Sequence, residues 1–123
     1  MRFLSTRAHG GLDYAAGTLL VALPWVAGFA TGGAEQWAAV GTGALLILYS
    51  LLTDYELGMV RRVGMPVHLW LDALLGAFLA ASPWTFGFDQ RVWAPHVAVG
   101  VVQVVGALLT DTIPSYERRR ARA

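Results

Sequence analysis

His68 to Phe88 reads HLWLDALLGAFLAASPWTFGF, and His9 to Phe29 reads HGGLDYAAGTLLVALPWVAGF. His, Leu, Asp, Gly, Leu, Ala, Pro, Trp, Gly and Phe recur between the two stretches with a constant offset of 59 residues. Each copy places a His and an Asp four residues apart, which is one face of a helix, at one end of an apolar segment. A Pro-Trp pair stands at the other end. The chain is therefore an internal duplication of a helical unit.

The rest of the chain fixes the solvent that unit expects. Of 123 residues, 56% are hydrophobic and 14% charged, with a mean hydropathy of +0.53. Soluble chains carry about 25% charged residues, so the composition reads as an integral membrane protein. The net charge of +1 is uninformative, and the absence of cysteine excludes disulfides, thiolate metal sites and thiol redox chemistry. The arginines lie at segment ends without interleaved aromatics, so no nucleic-acid module is expected. There is no Gly-rich phosphate loop, nucleophile elbow or catalytic triad, and the sequence leans away from an enzyme.

Four apolar segments are expected, over about 10–30, 37–53, 67–86 and 92–112. Each approaches the roughly 20 residues that cross a bilayer core, and soluble helices would need a polar face that these lack. A cleaved signal peptide competes for the first segment, but the duplication gives it an internal counterpart that no signal explains. The expected fold is all-α: four transmembrane helices as two tandem hairpins, related by a pseudo-two-fold axis along the membrane normal. Repeat 1 covers about 9–56, a linker about 57–66, repeat 2 about 67–114 and a basic tail 115–123.

Arg2, Arg7, Arg61, Arg62, Arg118, Arg119, Arg120 and Arg122 fall on one side of that topology, and Arg91 alone on the other. The positive-inside rule then places both termini on the cytoplasmic side of the membrane. Trp25, Trp37, Trp84 and Trp93 fall toward the outer interface, and Tyr14, Tyr55 and Tyr116 toward the inner one. Arg118, Arg119, Arg120 and Arg122 are suited to anionic lipid headgroups, each contributing about 1 kcal/mol near the surface. A second copy of the chain and another membrane protein are the further partners considered.

The polar residues converge at the cytoplasmic end. His9 and Asp13 open the first segment, His68 and Asp72 the third, and Asp54 and Asp111 close the second and fourth. Gly17 and Gly76 continue the His-Asp faces, while Gly43 and Gly100 lie on the faces leading to Asp54 and Asp111; small residues there let helices approach. A carboxylate at a helix C-terminus is disfavoured by its dipole, so Asp54 and Asp111 are expected to seek partners. One reading is a structural clip, His9 with Asp54 and His68 with Asp111. A second takes all six residues as ligands of a di-metal carboxylate bundle, holding divalent metal such as Mn, Fe or Zn. A third is proton or ion handling, opposed by the lack of charged residues in the middle and outer half of every segment. His96, near the outer end, reads as a packing or hydrogen-bonding residue. Pro24 and Pro83 read as kinks, with the Ser82 hydroxyl serving a freed backbone group and Trp25 and Trp84 anchoring at the interface.

Ser82-Pro83-Trp84, its variant Leu23-Pro24-Trp25, the His-x3-Asp spacing, Pro-Trp-x-x-Gly-Phe and a second helix ending in Thr-Asp resemble the SPW-repeat family of small bacterial and archaeal membrane proteins. The resemblance covers nearly the whole chain and departs at Leu23, where the motif has Ser. It implies two pairs of membrane helices and carries no established activity.

Overall fold

A computed structural model describes residues 2–123 as five helices, with no β-strand among them: α1 Thr6–Val26, α2 Ala34–Leu51, α3 Met65–Thr85, α4 Ala94–Leu109 and α5 Ser115–Arg122. The local starts and stops are legible. The Ser5 hydroxyl accepts from the Ala8 amide at 3.1 Å to cap α1, and Pro66 and Pro95 occupy the first turns of α3 and α4, where a missing N–H costs nothing.

The Pro-Trp-x-x-Gly-Phe motif is a helix terminator. Pro24 and Pro83 stand in the last turn of α1 and α3, not in mid-helix as the kink reading expects. Gly28 and Gly87 follow with φ of 80° and 71°, and the Phe29 and Phe88 amides donate back to the Pro24 and Pro83 carbonyls at 2.8 Å. That is a left-handed glycine stop, sealed by a buried aromatic. Ser82 behaves as expected: its hydroxyl donates at 2.6 Å to the Leu79 carbonyl, the acceptor left without its helical partner by Pro83.

α1 packs along α2, α3 along α4, and α2 meets α3. The first two contacts bring backbones together at the duplicated glycines. A Cβ on Gly43 would lie 2.6 Å from the Gly17 carbonyl oxygen, and one on Gly100 2.5 Å from that of Gly76. The ends are joined reciprocally. The linker before α3 lies beside the end of α2 (Asp54 N–H to the Val63 carbonyl, 2.7 Å), and the segment before α1 lies beside the end of α4 (Asp111 N–H to the Leu4 carbonyl, 2.9 Å).

Beside an apolar core that includes Leu20, Leu46 and Leu79, the bundle buries polar groups and exposes large apolar ones. His9, Asp13, Thr42, Ser50, His68 and Asp72 are buried, whereas Leu19, Leu48, Leu74, Val102 and Leu108 are about half exposed or more. By length and composition, α3 is the one described helix that suffices to cross a membrane, with mean hydropathy 1.4; α4 is a shorter apolar helix. In α1 and α2, His9, Asp13, Glu35 and Gln36 lower the average, and each of them is buried inside the bundle. The arginine-rich tail, expected only as a basic extension, forms α5. Tyr55, expected at an interface, is fully buried against the His68 ring at 5.4 Å between centroids.

Candidate His–Asp site

The first eight residues of α1 and of α3, about two turns each, present His9, Asp13, His68 and Asp72 into one buried cluster, each residue at most 4% exposed. The pairing crosses between the repeats. His9 Nε2 lies 2.5 Å from Asp72 Oδ2, and His68 Nε2 lies 2.9 Å from Asp13 Oδ2. The contacts within each helix are longer, 3.2 Å for both His9–Asp13 and His68–Asp72. One ligand atom from each of the four residues can be chosen so that all lie within 4.8 Å of one another.

The other ring nitrogens are held by threonine. Thr110 Oγ1 lies 2.7 Å from His9 Nδ1, and Thr53 Oγ1 lies 2.7 Å from His68 Nδ1. A hydroxyl has one hydrogen, and both are already committed to backbone: Thr110 donates to the Gly106 carbonyl and Thr53 to the Tyr49 carbonyl, each at 2.6 Å. Each threonine can therefore only accept from its ring, so both Nδ1 atoms carry protons. Both Nε2 atoms then face the carboxylates. Two imidazoles and two carboxylates thus satisfy one another inside the bundle. Tyr49 completes the cluster by donating its hydroxyl to Asp72.

Asp54 and Asp111 lie outside this cluster, so the expected His9–Asp54 and His68–Asp111 clips do not form. α2 ends at Leu51 and α4 at Leu109, so the helical face extrapolated to Asp54 and Asp111 does not reach them. Asp54 accepts from the Tyr116 hydroxyl and lies 3.9 Å from Arg61; Asp111 pairs with Arg118. Partial burial and the Asp54 carboxylate push the Tyr116 hydroxyl up to about 12, so it stays a donor. The six-ligand di-metal arrangement is likewise not assembled; four of its six residues come together. Arg118 is thereby drawn to Asp111, while Arg119, Arg120 and Arg122 remain exposed on α5.

A second polar cluster clasps the opposite end. Arg91 Nε and Nη2 donate to the two Glu35 carboxylate oxygens at 3.2 Å each, and His96 Nε2 donates to the Glu35 carbonyl at 2.8 Å. His96 is thus a hydrogen-bonding residue in the packing, between Phe29 and Phe88.

A family model described as the SPW repeat domain matches residues 7–110. The chain belongs to the SPW repeat family. No curated protein and no solved structure matches it. In this SPW chain the duplicated His, Asp, Gly, Pro and Trp positions divide the work between the two ends of each unit. The His-Asp end builds the buried cluster, and the Pro-Trp end stops the helix.

Thr53, Thr110 and Tyr49 are the members of the site that sequence reasoning missed. A signal for the threonines was present, since Thr53-Asp54 and Thr110-Asp111 share the 57-residue offset of the second-helix pair. No such signal marked Tyr49, because its counterpart is Gly106. That difference opens the site on one side. Tyr49 covers Asp72, whereas a Cβ at Gly106 would only reach 4.0 Å from the His9 ring. A cavity of about 180 Å³ lies there, lined by His9, Asp13, Gln103 and Gly106.

Proposed function

We propose that this protein is a four-span inner-membrane module whose two repeats are held in register by the crossed His–Asp cluster, and that its role is structural, presenting a fixed four-helix body and a basic cytoplasmic tail. The observation that carries the reading is the crossing itself. Each His takes its shortest carboxylate contact, and its threonine, from the other repeat. A clip made within one repeat would stiffen a hairpin; this one ties two hairpins together. Membrane residence is supported by exposed leucines and valines around buried ionisable groups, a distribution that water penalises and lipid favours. With four spans, both termini and the linker face the cytoplasm, where Arg119, Arg120 and Arg122 of α5 meet anionic headgroups.

A double-mutant cycle tests the clip. His9→Gln and Asp72→Asn are expected to couple by about 1–3 kcal/mol in detergent-solubilised protein, as residues of one network do. His9→Gln and Asp54→Asn should be additive within about 0.5 kcal/mol. Additivity in the first pair would remove the basis for the clip. The membrane placement is read separately: in this cysteine-free chain, Asp89→Cys should react with an impermeant maleimide in intact cells, and Arg120→Cys only after permeabilisation.

A further inference from the structure

We infer that the His9, Asp13, His68 and Asp72 cluster is a mononuclear site for a divalent first-row transition ion of the zinc class. The inference takes the cluster from the structural reading above but does not need its clip to be strong.

Three observations carry it. The first is donor orientation. The threonine hydroxyls fix both protons on Nδ1, so each imidazole turns Nε2, the atom a metal takes, toward the carboxylates. A metal-bound histidine ordinarily gives its other N–H to a nearby acceptor that sets tautomer and ring angle, and Thr53 and Thr110 fill that role here. The second is distance. Ions with bonds of 2.0–2.2 Å place tetrahedral donors about 3.3 Å apart. The four His–Asp separations, which use both oxygens of Asp13, are 2.5, 2.9, 3.2 and 3.2 Å, and one donor atom from each residue lies within 4.8 Å of the others, so the donors close on an ion by about 1.5 Å at the widest pair.

The third is charge. A divalent ion held by two carboxylates and two neutral imidazoles makes a set of zero net charge, any proton on Nε2 leaving to solvent, and that is the condition a low-dielectric interior imposes. Two nitrogens and two carboxylate oxygens suit zinc, cobalt, iron or manganese; magnesium and calcium favour all-oxygen shells, and copper(I) favours sulfur. Gly106 leaves the His9 side uncovered, so the 180 Å³ cavity toward Gln103 adjoins the ion on one side.

The experiment uses full-length protein in detergent, stripped with chelator and titrated with Zn²⁺ and with Co²⁺. One ion per chain is expected, with Co²⁺ giving the intense visible bands of a four-coordinate site. Asp13→Asn should weaken binding by about 100-fold or more, and Thr53→Val, which leaves every ligand in place, by about 10–100-fold. Because Asp13→Asn also touches the clip, its folding is checked by far-ultraviolet circular dichroism, and Thr53→Val supplies the second variant. Zn²⁺ should also raise the unfolding midpoint of the wild type and leave that of Asp13→Asn unmoved. Folded wild-type protein that takes up neither ion, or takes them up equally well in Asp13→Asn, overturns the inference. The clip fails differently, by a loss of His9–Asp72 coupling in metal-free protein.

Discussion

Replacing Thr110 with valine isolates the bond on which the ring assignments rest. Valine has nearly the shape of threonine, so Thr110→Val removes a hydroxyl with little change in packing. Two hydrogen bonds go with it: the donation to the Gly106 carbonyl at 2.6 Å and the acceptance from His9 Nδ1 at 2.7 Å. The residue is fully buried, so no water replaces the hydroxyl and the imidazole N–H is left without an acceptor. An orphaned buried donor costs about 1–3 kcal/mol. The loss of the helical back-bond is measured by a control, Thr85→Val, whose hydroxyl donates to the Ala81 carbonyl at 2.9 Å from an exposed position; its effect should stay within about 0.5 kcal/mol. The difference between the two variants is the ring bond. Denaturant titration in micelles, followed by circular dichroism, reads the energies, and nitrogen-15 spectra of the histidines read the tautomer. Thr53→Val should repeat the result at His68. The double variant should cost less than the sum, because the rings share the same carboxylates. Equal effects at Thr110 and Thr85, with His9 carrying its proton on Nε2 alone, would refute the reasoning.

The helix contacts make a sharper steric test. In Gly100→Ala the new methyl meets the Gly76 carbonyl at 2.5 Å and the Ala80 amide nitrogen at 2.7 Å, both backbone atoms, so α3 and α4 must separate; a loss of about 1–3 kcal/mol is expected despite alanine's better helix propensity. Gly41→Ala meets nothing within 4 Å and should gain up to about 1 kcal/mol; unfolding midpoints that move in the same direction would contradict the close approach. At the opposite end, Glu35 precedes the apolar run beginning at Trp37, and hydrogen bonds from Arg91 and then Thr31 hold its carboxyl at about 2, below the ordinary 4.5. A depressed folded-state value means the contribution is complete above 4.5 and lost as pH falls toward 2. The difference in unfolding midpoint between wild type and Glu35→Gln should therefore shrink over that window, and a difference independent of pH would exclude the ion pair as its source.

The duplication made the helices, their order and the close-packing glycines legible, because a repeat compares one structural solution with another in a single chain. It also marked His9, Asp13, His68 and Asp72 as a set. Their partners were not legible, for a reason of geometry. Positions one turn apart on a helix can be read from spacing, but which repeat faces which is a tertiary fact, and the pairing proved to cross. The error at Asp54 and Asp111 has a related origin. Periodicity was carried two or three residues past Leu51 and Leu109, where the helices have ended, and the charged member of each Thr-Asp pair was favoured over its neighbour. In the structure the charge turns out to an arginine or tyrosine and the hydroxyl turns in to a ring. Burial explains that choice: a carboxylate brought beside each Nδ1 would add a third and a fourth to a buried cluster that already holds two. What the duplication could not reveal is where the copies differ. Tyr49 closes the cluster on the side of α2 and α3, and its counterpart Gly106 leaves it open between α1 and α4. Symmetry accounts for the clip; any traffic with the cluster has to use the side where symmetry fails.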